Sequence, residues 1–98
     1  MVKIKWSKDS LEDLKEICDF IAFDSPYYAA MLKERIFEMV EHISLFPEMG
    51  RSVPESEDPS VRELIYKSYR IIYEVKEGCL EIITIIHGSR LLKLKSIN

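Results

Sequence analysis

Cysteine is scarce in this chain of 98 residues, and its two copies, Cys18 and Cys79, are too few for a disulfide framework. Neither cysteine has another cysteine or a histidine at the spacing of a metal site, so the sequence implies no metal and no other cofactor. No run of about 18 apolar residues is present, and residues 1–6 lack the apolar stretch of a signal peptide. These absences argue against a secreted disulfide scaffold, and they predict a cytoplasmic protein that does not cross a membrane.

Length and composition are those of an ordinary folded domain. With 98 residues, 47% of them hydrophobic, the chain is long enough to bury a core and too short for two domains, so we expect one domain over residues 1–98. The charge is uneven: residues 1–61 contain 7 lysines and arginines against 13 acids, and residues 62–98 contain 7 against 4. A basic half attracts phosphate backbones or an acidic protein partner, although a solvated strand edge with a basic tail gives the same pattern.

The N-terminal half has the pattern of a strand followed by two helices. Residues 2–6 alternate apolar residues with lysine, which is typical of a strand with one buried face. Ser7 suits the cap of a first helix over residues 8–23, and Ser25 with Pro26 suits the start of a second helix that ends before Pro47. Each helix carries one apolar stripe, so the two should form an antiparallel hairpin that packs on another element.

The C-terminal half changes to the period of β-strands. Residues 46–60 are rich in proline, glycine, serine and acids, and they are predicted to be a loop. Three strands follow at residues 62–66, 69–75 and 80–86, with Gly78 supplying the positive φ of a tight turn. Because short connections force neighbouring strands to be antiparallel, the sequence predicts an α+β fold. In it the helix hairpin packs on one face of a mainly antiparallel sheet that ends in a three-stranded meander.

The two faces of the meander follow from its turns, if Tyr66 lies opposite Tyr69 and Val75 opposite Leu80. One face is nearly all apolar and should carry the helix hairpin; it contains Leu64, Ile71, Tyr73, Ile82, Thr84 and Ile86. The other face has no helix left to cover it; it contains Glu63, Ile65, Arg70, Ile72, Glu74, Glu81, Ile83, Ile85 and His87. An uncovered apolar centre ringed by charges is typical of a surface that binds a partner.

Four short motifs resemble, in order and spacing, those of the RelE/ParE superfamily of toxins. Residues 46–55, FPEMGRSVPE, resemble the family's loop F-P-x-x-G-R-x-V-P-E. Residues 62–64, REL, and 69–73, YRIIY, resemble its R-E-L and Y-R-I-x-Y strands, and residues 85–90, IIHGSR, resemble the I-x-H-G-x-R that closes its sheet. The resemblance runs from residue 3 to residue 91, which is nearly the whole chain.

The resemblance implies the toxin of a type II toxin–antitoxin module, which arrests growth when free and is neutralised by a cognate antitoxin. Members act in two main ways: RelE-like proteins cut mRNA in the ribosomal A site, and ParE-like proteins poison DNA gyrase. Ribonuclease members usually carry basic residues before the Y-R-I-x-Y strand and an aromatic residue or histidine near the C-terminus. Here residues 55–58 are acidic, and no aromatic residue or histidine follows Arg90. Both departures favour the ParE-like mode. A ribosome-dependent endoribonuclease and a non-toxic antitoxin-binding module are the alternatives.

Four side chains are candidates for catalysis if the chain is a ribonuclease. Arg70 interrupts an apolar strand, where it could bind the scissile phosphate or form an ion pair with a glutamate of the same face. His87 could act as general acid or base, and Arg90 could hold phosphate or an acidic residue of the antitoxin. Glu55 matches a loop acid that serves as a base in some ribonuclease members. For His87 and Glu55 an ordinary structural role is the alternative.

The surface predicted to bind the antitoxin or the target combines apolar residues of the uncovered face with basic side chains. It contains Arg62, Ile65, Arg70, Ile72, Ile83, Ile85, Arg90 and Lys93. No small-molecule substrate is indicated by the sequence.

Overall fold

A computed structural model describes residues 2–88, so the candidates Arg90 and Lys93 lie outside the described residues. The chain begins with a strand and two helices and continues with strands, as the sequence predicts. The element bounds are β1 Lys3–Trp6, α1 Lys8–Asp24, α2 Pro26–Leu45, β2 Arg51–Ser52, β3 Val61–Tyr66, β4 Tyr69–Lys76 and β5 Cys79–His87. The predicted boundaries are correct to within one or two residues, but the two-residue strand β2 was predicted as loop.

A single serine connects the two helices of the hairpin and caps both of them. Ser25 ends α1, where its backbone N–H donates to the carbonyl of Ile21 (2.8 Å), and it caps α2, where its side chain accepts from the N–H of Tyr28 (3.2 Å). Pro26 fits the first position of α2 because that position requires no N–H donor. The short connection folds α2 back along α1. Within residues 2–88, neither helix is long and apolar enough to cross a lipid bilayer.

The sheet has five strands in the order β1-β5-β4-β3-β2. β1 pairs with β5 in parallel, and all other neighbours are antiparallel, which confirms the predicted helix hairpin and C-terminal meander. The main core lies between the hairpin and one face of the sheet. Its buried members are Leu14, Leu32, Ile36, Val40, Ile43, Ile71, Tyr73, Leu80, Ile82 and Ile85.

Both predicted turn registers are correct, but a β-bulge in β5 changes the face assignment beyond Ile82. Tyr73 lies opposite Ile82, whereas Ile72 lies opposite Thr84, so β5 contains one extra residue at this point. Asp13 of α1 binds the bulge through the hydroxyl of Thr84 and the N–H of Ile85 (3.3 Å).

Because of the bulge, three residues lie on the opposite face of the sheet from the one that the sequence predicts. Ile85 now lies opposite Ile71 and is buried in the helix-packed core, although the sequence predicts it on the uncovered face. His87 likewise lies opposite Tyr69, while Ile86 moves to the side of Arg70. The extra residue reverses the alternation of side chains, which a strict period of two cannot reveal.

The prediction that the second face of the sheet is uncovered is also wrong. Val53, from the segment after β2, packs with Val61, Ile72 and Ile83 into a second, smaller core on that face. Ile72 is completely buried there. The segment that the sequence indicates as an irregular loop therefore covers part of the sheet that no helix covers.

Candidate functional site

Arg70 lies in the middle of a buried ion-pair network on the second face of the sheet. Its guanidinium makes a bidentate contact with Glu55, from Nη1 to Oε2 (2.8 Å) and from Nη2 to Oε1 (2.7 Å). It also contacts Oε1 of Glu63, from Nε at 2.7 Å and from Nη2 at 2.6 Å. Arg70 is 6% exposed and Glu63 is 1% exposed, so both charges are almost completely removed from water.

A second arginine completes the network. Nε of Arg51 in β2 donates to the other carboxylate oxygen of Glu63, Oε2, at 2.7 Å. The buried carboxylate of Glu63 is therefore shared between two guanidinium groups, and the two arginines and two glutamates balance in charge. The hydrogen bonds that Arg70 donates to Glu55, followed by its contacts with Glu63, raise the pKa of Arg70 above its usual value in spite of the opposing effect of burial. The guanidinium is thus held permanently charged and bound by carboxylates.

The local backbone explains how these groups meet. Arg70 lies opposite Ile65 in the β3–β4 pair, two positions from Glu63 along β3, so both side chains are on one face. Glu55 comes from the segment between β2 and β3, which is fixed by its own hydrogen bonds. Asp58 accepts from the N–H and the hydroxyl of Ser60 at 2.9 and 2.7 Å, and these bonds lower the pKa of the Asp58 carboxyl.

A tyrosine anchors the preceding part of the loop motif. The Tyr73 hydroxyl accepts from the N–H of Gly50 (2.9 Å) and donates to the carbonyl of Pro47 (2.8 Å). A Cβ atom at Gly50 would lie 2.4 Å from this hydroxyl and 2.8 Å from the carbonyl oxygen of Glu63, so only glycine fits. Burial raises the pKa of Tyr73, which keeps the hydroxyl protonated as a donor. The predicted packing role of Tyr73 is confirmed, with a specific loop contact added.

Among residues 2–88, the remaining polar candidates make contacts with other groups. The predicted alternative of an ion pair is present for Glu63, whereas Glu74 and Glu81 instead pair with Lys76 at 3.9 and 2.7 Å. His87 is exposed and makes an edge-to-face contact with the ring of Tyr69, at 5.8 Å between centroids.

Strand register separates His87 from Arg70, because successive side chains alternate between faces and Arg70 lies opposite Ile86. Arg62 extends its guanidinium to the carbonyl of Gly50 (2.8 Å), where it supports the loop.

The predicted partner surface is only partly accessible. Ile72 and Ile85 are buried within the chain and Ile83 is half-buried, whereas Ile65 is exposed. Sequence reasoning missed a different apolar surface at the tip of the helix hairpin, where Phe20, Phe23, Tyr27 and Tyr28 are exposed. The signal that could have found it was the position of Phe20 and Phe23 outside the apolar stripe of the first helix.

Comparisons with known proteins agree with this architecture. Residues 4–92 match the family described as the ParE toxin of the type II toxin-antitoxin system parDE. The fold is similar to a chain of the chromosomal ParDE system from P. aeruginosa, with a TM-score of 0.73 and 27% identity over 89% of this chain and 96% of that one.

A more distant neighbour has the same fold. It is a chain of the toxin-antitoxin complex RelBE2 from Mycobacterium tuberculosis, with a TM-score of 0.59 and 16% identity over 88% of this chain and 96% of that one. The search of curated proteins gave no match. Because the family match covers almost the entire sequence, the chain belongs to the ParE toxin family of type II toxin–antitoxin systems.

Proposed function

We propose that this protein arrests growth by binding DNA gyrase, without cutting RNA, and that a cognate antitoxin neutralises it. The observation that carries the proposal is the enclosure of Arg70 by the carboxylates of Glu55 and Glu63. In a ribonuclease this arginine would have to meet a phosphate. Here a bidentate carboxylate already occupies the position that a phosphate would take.

The energetics support the same conclusion. A phosphate could reach Arg70 only after Glu55 had been displaced, and it would have to replace the two charge-assisted hydrogen bonds that the guanidinium already makes to that carboxylate. Even then the phosphate would find no histidine on that face, because His87 lies beside Tyr69 on the helix-packed side. A general acid or base has to be within hydrogen-bond reach of the reacting atoms. Membership of the ParE family and the acidic loop therefore favour gyrase over the ribosome as the target.

An antitoxin partner is supported by the two structural neighbours, which come from a ParDE system and a RelBE2 complex. In this chain the exposed Ile65 and the basic second half of the sequence fit a partner segment with apolar anchors and acids. Ile72, Ile85 and Arg70 drop out of this surface because they are buried. The contact set is therefore smaller than the one that the sequence predicts.

The test is pulse labelling after induction of the protein alone, with thymidine and amino-acid incorporation followed in one culture. We expect DNA synthesis to stop first, and we expect the purified protein to inhibit supercoiling by purified gyrase. The His87→Ala variant should remain fully toxic. Co-expression with a cognate antitoxin should restore growth.

Each other outcome assigns a different function. Arrest of protein synthesis first, with mRNA cleavage that His87→Ala abolishes, would establish the ribosome-dependent endoribonuclease instead. If neither synthesis stopped while the induced protein was soluble and folded, the chain would be a non-toxic antitoxin-binding module.

A further inference from the structure

Four aromatic side chains project into solvent at the tip of the helix hairpin. Phe20 and Phe23 at the end of α1 are 79% and 92% exposed, and Tyr27 and Tyr28 at the start of α2 are 70% and 61% exposed. We call these four residues the hairpin-tip patch. They contribute nothing to the core, and water-exposed aromatic rings in such a cluster mark an interaction surface rather than ordinary scattered apolar exposure.

A cavity of about 360 Å³ opens beside the hairpin-tip patch, between the two helices and the β3–β4 turn. Its apolar walls include Phe20, Tyr28, Met31, Tyr66 and Tyr69. The volume is in the range of small-molecule and side-chain binding sites and is ample for an aromatic ring. Phe23 does not line the cavity. The patch thus combines a projecting ring with a hole that can receive one.

We propose that the hairpin-tip patch is the interface of a two-fold symmetric dimer, in which Phe23 of each copy enters the cavity of the other. In a two-fold symmetric interface the same surface of both copies must be complementary to itself. A projecting Phe23 beside a cavity that can receive it meets this requirement, because each dimer then contains two identical contacts. A second copy of this chain supplies both the projecting ring and the cavity, as a two-fold symmetric interface requires.

The charges at the mouth of the cavity are also self-complementary. Asp24 and Lys67 both line it, and among residues 2–88 neither forms an ion pair. The two-fold arrangement brings Asp24 of one copy to Lys67 of the other, and the reverse contact follows by symmetry. A patch of a single sign would repel its own copy.

The area agrees with a stable but modest interface. At about 150–250 Å² for each aromatic residue, the exposed parts of the four rings amount to roughly 450–750 Å² per copy. A standard interface buries about 800 Å² per partner, so the four rings by themselves supply more than half of that area. The remainder would come from the residues that flank the patch.

Sedimentation velocity of the purified full-length chain, from about 1 to 200 µM, tests the proposal. We expect a monomer–dimer equilibrium that Phe23→Ser weakens by about 700-fold or more, since the dimer loses two buried aromatic anchors and each contributes about 2 kcal/mol or more. The matched control is Leu11→Ser, which changes another exposed apolar residue of α1 about 18 Å from Phe23. It should leave the equilibrium unchanged.

A charge exchange identifies the contact between copies. Asp24→Lys and Lys67→Asp should each abolish self-association, because each variant places like charges at both contacts. An equimolar mixture of the two should recover a dimer, since both contacts then pair a lysine with an aspartate.

The proposal fails under clear outcomes. A wild-type chain that stays monomeric at 200 µM overturns it, as does a dimer that survives Phe23→Ser or dissociates equally with Leu11→Ser. A mixture of the charge variants that remains monomeric overturns the two-fold contact. If the chain is monomeric and Phe23→Ser instead abolishes capture by the antitoxin, the patch belongs to that partner. Toxicity is measured in a separate experiment, so failure of the dimer proposal would not affect the proposed function.

Discussion

The two faces of the sheet are stabilised by different chemistry. Toward the helices, side chains such as Ile36, Ile43, Ile71 and Ile82 form a continuous apolar core. On the opposite face, a small apolar cluster of Val53, Val61, Ile72 and the half-buried Ile83 is accompanied by the charged network in which Glu63 binds both Arg51 and Arg70. The first face is specified by many interchangeable apolar contacts. The second depends on a few groups that must each find one particular partner, so single substitutions should distinguish them sharply.

Glu63→Ala should produce the largest loss of stability. The variant removes the carboxylate that neutralises Arg51 and shares Arg70 with Glu55, so buried Arg70 loses half of its compensation. We expect the free energy of unfolding to fall by about 3–5 kcal/mol, measured by urea denaturation. The control, Glu81→Ala, removes the partner of Lys76 at a more exposed site and should cost less than about 1 kcal/mol. Equal losses in the two variants would show that the network is no more stabilising than a surface ion pair.

Tyr73→Phe should have the next largest effect, because Tyr73 connects the two faces. Its ring is buried in the helix-packed core, while its hydroxyl binds Gly50 and Pro47 on the loop. Loss of the hydroxyl leaves the buried N–H of Gly50 without its acceptor, at a cost of about 1–3 kcal/mol. Tyr27→Phe removes an exposed hydroxyl and should be neutral. Unchanged urea midpoints for both variants would contradict the anchoring role.

Ile85→Val should cost less, and it tests the bulge. If Ile85 belongs to the helix-packed core, loss of one methyl group should lower the free energy of unfolding by about 0.5–1.5 kcal/mol. Ile65→Val, at an exposed position of β3, should change it by only a few tenths of a kcal/mol. If Ile65→Val lowered the free energy of unfolding more than Ile85→Val, the result would support an unbulged register in which Ile85 lies on the second face.

The elements of this fold differ in how far the sequence alone predicts them. Periodicity predicted the helix hairpin and the meander because each depends on local patterns that repeat over several turns or residues. The turn registers at Tyr66–Tyr69 and Val75–Leu80 followed from short connections. The bulge did not, because the side chain that binds it, Asp13, is about 70 positions away in the sequence.

The sequence predicts which residues belong to the candidate site, but it does not predict how their side chains contact one another. The sequence identifies Arg70 and Glu55 as candidates and allows an ion pair of Arg70 with a glutamate such as Glu63, and the structure contains contacts of Arg70 with both glutamates. The sequence could not decide that Glu55 would complete the network, since this depends on how the loop folds after β2. His87 could not be separated from Arg70 until the bulge fixed its face. Long-range contacts of single side chains leave no period in a sequence.

The smallest expected effect concerns pH and the loop that carries Glu55. Hydrogen bonds from Ser60 lower the pKa of Asp58 in the folded chain, so this carboxylate stabilises the fold at pH values above its ordinary pKa of about 3.9. That contribution should be lost as the pH falls through the lower folded value. We expect Asp58→Ala to be slightly less stable than the wild type at pH 7, and the difference in urea midpoint to shrink below about pH 4. A difference that stays constant from pH 7 to pH 3 would show that the Asp58 side chain acts through packing alone, and that the charge of this turn does not hold the loop over the second face.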